Sequence, residues 1–185
     1  MCAAQGLVGP AQTTGSSPMV MRAFVGVGVG AALPTVVSLG VEARLDFGTF
    51  DLGTRYAWLG EDFEGGLEVA TYGRTELGFK VIDLETFNLR VRGGIQHWVA
   101  GGVHDLGVSG GIAVEAFPGS SVTVNAEVGA GNLGGARIVY GRALVGTMLG
   151  HLELSGGWDH TTFLTSDGSP SVHLSGPVLL ARYWF

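Results

Sequence analysis

Cysteine is almost missing from this chain. One thiol, Cys2, stands among 185 residues, which excludes an internal disulfide and any cysteine-rich metal centre. Charge is scarce as well, at 14% of residues against about 25% in an average globular chain. The balance is acidic, at −6, and no basic stripe is available to neutralise phosphates, so a nucleic-acid partner is excluded. His97, His104, His151 and His160 lack metal-ligand spacing, and neither a metal nor a cofactor is expected. Helical periodicity is absent too. The uncharged stretch Ala23–Val41 is long enough to be weighed as a transmembrane helix. Gly26, Gly28 and Gly30 each cost a helix about 1 kcal/mol relative to Ala, and Pro34 breaks it.

What the chain has is glycine, 33 residues of it, and apolar residues at alternate positions. A period of two places successive side chains on opposite faces of a strand. The period predicts about ten strands, near 20–31, 36–47, 49–59, 66–82, 86–100, 105–117, 121–131, 136–149, 151–164 and 171–185. Tight turns are expected at Gly48, Asp83, Pro118-Gly119 and Gly150. Longer connections are expected near Gly60–Gly66, Gly101–Asp105, Asn132–Gly135 and Thr165–Pro170. The expected fold is all-β: one antiparallel meander of about ten strands, or eight as the fallback, closed into a barrel over residues 19–185. Residues 1–18 read as a flexible leader or the remnant of a signal peptide. They carry no basic residue and no apolar stretch of the kind a complete signal needs. Cys2 is weighed, and set aside, as a lipoprotein cysteine.

The charges sort by parity. Within each strand they share one face, and the aliphatic residues share the other. The basic set is Arg22, Arg44, Arg55, Arg74, Lys80, Arg90, Arg92, Arg142 and Arg182. The acidic set is Glu42, Asp46, Asp51, Glu68, Glu76, Glu115, Glu127, Glu153 and Asp159. The two sets nearly cancel, as charges enclosed in a narrow lumen must in order to offset their desolvation. Arg137 and His173 dissent, each near a strand end. Aromatic residues band by height. Phe47, Phe50, Phe79, Phe87, Phe117 and Tyr183–Phe185 are expected at one end. Tyr56, Trp58, Trp98, Tyr140, Trp158 and Phe163 are expected at the other, with Trp98 on lumen parity. Two such girdles around an aliphatic band match two membrane interfaces. Short turns on the side of the termini, with longer connections opposite, would complete the pattern.

The last strand carries a resemblance. Leu179, Ala181, Tyr183 and the final Phe185 alternate with Leu180, Arg182 and Trp184. This ending resembles the C-terminal strand of small Gram-negative outer-membrane β-barrels, the OmpA/OmpX-like or ten-stranded class. That resemblance implies an outer-membrane location and contact with membrane lipids. It also implies delivery by the barrel-assembly machinery, with Leu179, Ala181, Tyr183 and Phe185 as the signal. The expected function is a monomeric, non-enzymatic envelope scaffold or narrow small-solute pore with a polar, ion-paired lumen.

Two other classes are carried beside it. His173-Leu174-Ser175 resembles the His-x-Ser motif of outer-membrane lipid A deacylases of the PagL type, in which His activates Ser toward an ester. That family places Asn after the Ser, where this chain has Gly176. A soluble lipocalin-like binding barrel would alternate equally well, but with its apolar face inside. Gly26-Val27-Gly28-Val29-Gly30-Ala31, with Asp46 further on, fits the dinucleotide fingerprint only in form, because that chemistry needs a helix opening at the glycines. Glycines that clear the lumen for large neighbours explain the run better. Asp159-His160 faintly resembles the acidic and histidine residues of ten-stranded outer-membrane proteases, but adjacent strand residues face opposite ways.

Overall fold

The computed structural model of the chain describes residues 21–32, 36–63, 66–119, 121–165 and 171–185. The expected leader, residues 1–18, lies outside them. Ten strands follow one another: β1 (Met21–Ala32), β2 (Val36–Phe47), β3 (Phe50–Phe63), β4 (Gly66–Leu84), β5 (Phe87–Ala100), β6 (Val103–Ala116), β7 (Val122–Leu133), β8 (Ala136–Leu149), β9 (Leu152–Thr165) and β10 (Val172–Trp184). Each pairs antiparallel with its chain neighbours, and β10 returns to pair with β1. The sheet is therefore a closed barrel, which removes the edge strands that would otherwise offer unpaired backbone groups. Every strand is long enough to cross a bilayer core, which takes about 9–11 tilted residues.

The turns explain the even register. Gly48-Thr49, Glu85-Thr86, Gly101-Gly102, Gly134-Gly135 and Gly150-His151 are all two-residue connections. Gly101 and Gly102 both take positive φ, 55° and 82°, as a type I′ hairpin turn requires. Two connections expected to be long, Gly101–Asp105 and Asn132–Gly135, are thus tight turns. The predicted contrast between short turns at one end and longer connections at the other fails at these two, while residues 166–170 of the expected Thr165–Pro170 connection lie outside the described residues.

Parity holds along the strands except in β4, where a bulge between Lys80 and Ile82 shifts the register and leaves Val81 and Ile82 both exposed. Directly paired residues share a face: Glu42 with Arg55, Glu127 with Arg142, Arg182 with Glu153. The charged face is the inside. Arg90, Glu153 and Gln96 are buried there, at 2%, 1% and 0% exposure. Aliphatic side chains cover the outside, among them Val27, Leu39, Ile95, Leu106, Val145 and Leu179, all more than half exposed, and Val91 close to half. A monomer in water rarely carries so continuous an apolar surface. A soluble lipocalin-like barrel needs the inverse arrangement, so that reading is corrected.

The aromatic bands are corrected in part. Phe47, Phe50, Phe79, Tyr183 and Phe185 gather at the end that carries Met21 and the C-terminus, with Phe50 and Phe79 rings 5.4 Å apart. Trp184 turns inward, where its ring packs on Phe24 at 4.9 Å. At the far end Trp58 and Trp158 face out, at 40% and 48% exposure. Tyr140 and Phe163 do not join them. With Tyr72, Trp98, Leu133 and Ile138 they fill one side of the upper lumen as an apolar cluster.

Candidate functional site

Among the described residues charge concentrates in the interior, and four carboxylates organise it. Glu42 on β2 accepts from Arg182 Nε on β10 at 2.5 Å, from Arg142 Nη1 on β8 at 3.2 Å and from Arg55 Nε on β3 at 3.3 Å. Glu127 on β7 accepts from Arg74 Nη2 on β4 and, at 3.3 Å, from Arg55 Nη2. Glu115 on β6 accepts from Arg90 Nη1 at 2.9 Å and Arg44 Nη2 at 3.1 Å. Glu153 on β9 accepts from Arg182 Nη1 at 2.9 Å. Several of these links join strands that are not neighbours in the sheet. They run across the lumen.

Around these hubs the remaining predicted charges find places. Asp46 sits 3.3 Å from Lys80 Nζ and 3.4 Å from Arg90 Nη2. Asp51 reaches Arg92 Nη2 at 3.2 Å and Arg90 Nε at 3.3 Å. Arg142 also pairs with Asp159. Glu76 lies 3.8 Å from Arg74. Arg22 stands opposite Asp46 in register. Glu68 has lumen parity but is exposed at the rim, opposite Glu61, and does not join the belt.

Neutral partners complete the network, and several of them were not predicted. Tyr140 Oη and Ser109 Oγ donate to Glu76 Oε1, at 3.0 and 2.9 Å. Thr123, Ser155 and Trp184 Nε1 donate to Glu153, at 3.0, 2.8 and 3.0 Å. The Arg74 guanidinium lies 3.7 Å from the centre of the Tyr140 ring, close enough for a cation–π contact. All of these residues share parity with the charges, which was the signal available. Glycines make the room. Where a Gly26 Cβ would stand, Arg182 Cγ and Glu42 Cγ lie 3.0 and 3.3 Å away, so a side chain there would displace the pair.

Among the described residues, two of the cavities lie inside. One of about 60 Å³ is ringed by charged residues, including Arg44, Arg92 and Glu115. The other, of about 120 Å³, lies nearer the far rim between Gly28, Ser38, Leu59, Tyr72, Leu174 and Val178. Glu42, Arg55, Arg74 and Arg142 line both. The ion-pair belt therefore borders both.

The His173 and Ser175 pair lies outside, on β10. Ser175 Oγ accepts from Trp158 Nε1 at 2.9 Å. His173 Nδ1 lies 3.0 Å from Thr162 Oγ1, which is also 2.9 Å from His160 Nε2. The two motif residues thus each engage a β9 side chain. Asp159 and His160 point to opposite faces, Asp159 inward to Arg142.

No family model matches the chain, and no curated protein matches it. Solved structures do. The outer-membrane protein Ail of Yersinia pestis, determined in a phospholipid bilayer nanodisc, matches at 13% identity over 89% of this chain and 99% of its own, with a TM-score of 0.46. A crystal structure of the same attachment invasion locus protein matches at 11% identity, over 89% of this chain and 96% of its own, with a TM-score of 0.37. The beta domain of the Bordetella autotransporter BrkA matches at 11% identity over 88% of this chain and 98% of its own, with a TM-score of 0.41.

Proposed function

We propose that this chain is an outer-membrane β-barrel of a Gram-negative envelope, and that it serves as a closed, monomeric scaffold with no catalytic role. The observation that carries the reading is the wall-to-wall ionic belt. Arg44 to Glu115, Arg74 to Glu127 and Arg142 to Glu42 each bridge the lumen. An ion passing through must break pairs whose members are buried, and leaving one partner uncompensated costs about 3–5 kcal/mol. The aliphatic exterior and the alternation at Leu179, Ala181, Tyr183 and Phe185 support a bilayer location and delivery through the last strand.

Planar-bilayer recording on protein of verified heat-modifiable gel migration tests it. The wild-type barrel should pass no steady current, and Arg74→Ala with Glu127→Ala should open measurable conductance. A steady wild-type current would give preference to the narrow-pore reading. The same account expects His173→Ala and Ser175→Ala to leave the lipid A acylation pattern of an expressing cell as the wild-type protein leaves it. A deacylated pattern with wild type, lost in either variant, would establish an enzyme instead.

A further inference from the structure

The weakest seam in the wall runs beside the larger cavity. β1 pairs with β2 over twelve positions, Met21↔Phe47 to Ala32↔Val36. It pairs with β10 over only seven, from Phe24↔Trp184 to Gly30↔Val178. The next partner for Ala31 would be Pro177, which has no N–H to donate. Above that point the two strands still touch, because the Ala31 carbonyl lies where a Gly176 side chain would stand. They touch without a ladder. The β6–β7 seam is also short, at eight pairs, but there side chains replace the missing bonds. Gln96 Nε2 donates to Asn132 O at 2.6 Å and Val108 O at 3.3 Å, and Asn132 Oδ1 accepts from Val108 N at 2.9 Å. No such bridge is recorded between the described residues of β1 and β10 above Gly30.

The cavity behind this seam is lined by residues on both of its sides, β1 from Gly28 to Ala32 and β10 from Leu174 to Val178. Its walls are mainly apolar, with Leu59, Ala57, Val178, the rings of Tyr72 and Tyr140 and bare backbone at Gly28 and Gly40, and Arg55, Arg74, Ser38 and Thr161 also line it. Its floor is the Glu42–Arg142–Asp159 chain. Ser175 belongs to the outer face and also lines the cavity, which places a hydroxyl at the mouth. His173, two residues away on the same face, is exposed. An apolar pocket with a polar mouth toward the lipid phase fits one kind of occupant.

We propose that the upper lumen binds the end of a single hydrocarbon chain, admitted from the surrounding lipid between β1 and β10 where Pro177 interrupts the ladder, with the chain's polar head held at the mouth by Ser175. This rests on the membrane reading above. A volume of about 120 Å³ accepts on the order of five carbons, since a cavity of roughly 150 Å³ takes benzene. The remainder of the chain lies in the seam and along the outer wall.

The test uses protonated dodecanoate in nanodiscs of deuterated phosphatidylcholine, with methyl-labelled protein. Wild type should show Overhauser contacts from the chain to the lumen methyls of Leu59, Leu174 and Val178, as well as to the outer methyls of Leu39 and Val91. Gly40→Leu fills the pocket, and a Cβ there meets nothing closer than Tyr56 O at 3.4 Å; it should erase the lumen contacts and spare the outer ones. Pro177→Val restores the N–H and should slow the build-up of the lumen contacts several-fold. Outer contacts without lumen contacts in wild type would overturn the pocket while the membrane reading stands. A build-up unchanged in Pro177→Val would overturn the lateral route. Loss of both sets would remove the membrane reading, and the proposal with it.

Discussion

At the scale of single residues, the interior is a set of interlocked charges, and its parts are unequal. Glu42 and Glu127 each hold several arginines from different strands. An exposed pair contributes about 0–1 kcal/mol, whereas removing one member of a buried group leaves charge without compensation. Glu127→Ala should therefore destabilise the barrel by about 3–5 kcal/mol, read as a lower urea midpoint for unfolding from detergent. Glu68→Ala, at the exposed rim, should change it by about 0.5 kcal/mol or less. Glycines divide in the same way. A side chain at Gly157 would strike the Ala143 backbone carbonyl, while one at Gly53 meets only Ala43 O at 4.0 Å. Gly157→Ala should destabilise the barrel by about 1–3 kcal/mol, read as a lower value of the same midpoint, and Gly53→Ala should leave that midpoint in place. Most of the ionic belt was legible because parity needs only counting. Tyr140 was missed although it shares parity with Arg142, because its height had assigned it to an aromatic girdle. Height along a tilted strand is a weaker coordinate than face.

At the scale of elements, alternation carried the strands and composition misled on the turns. The boundaries of β2 and β8 fell where period two placed them. The glycine clusters at Gly101 and Gly134 read as loops, yet Gly101 and Gly102 supply positive φ at both turn positions and Gly134 at one, which lets pairing run to Ala100↔Val103 and Leu133↔Ala136. What sequence could not show was how a short seam is repaired. Gln96 reaches from β5 to bond the backbone of both β6 and β7, a contact that depends on Gly131 leaving space for its amide. Gln96→Leu should strand those carbonyls at a cost of about 1–3 kcal/mol. Native-state hydrogen exchange should then speed up at Val108 and its neighbours while β2 and β3 stay protected; uniform protection would show that the staple is dispensable.

At the scale of the whole molecule, the barrel is inside out relative to a soluble protein, with ions at the centre and aliphatic side chains at the surface. Such an exterior favours hydrocarbon surroundings, where each apolar group stays out of water and the closed ladder satisfies the backbone. The four tryptophans report on both faces. Trp58 and Trp158 point outward, while Trp98 packs on Phe163 and Trp184 donates to Glu153 inside. Single-tryptophan variants, with the other three replaced by Phe, can be refolded into vesicles of phosphatidylcholine brominated near the headgroup, and their fluorescence quenching compared with that in unbrominated vesicles. The barrel described here predicts strong quenching of Trp58 and Trp158 and little of Trp98 and Trp184. Equal quenching of all four, or none of any, would contradict it.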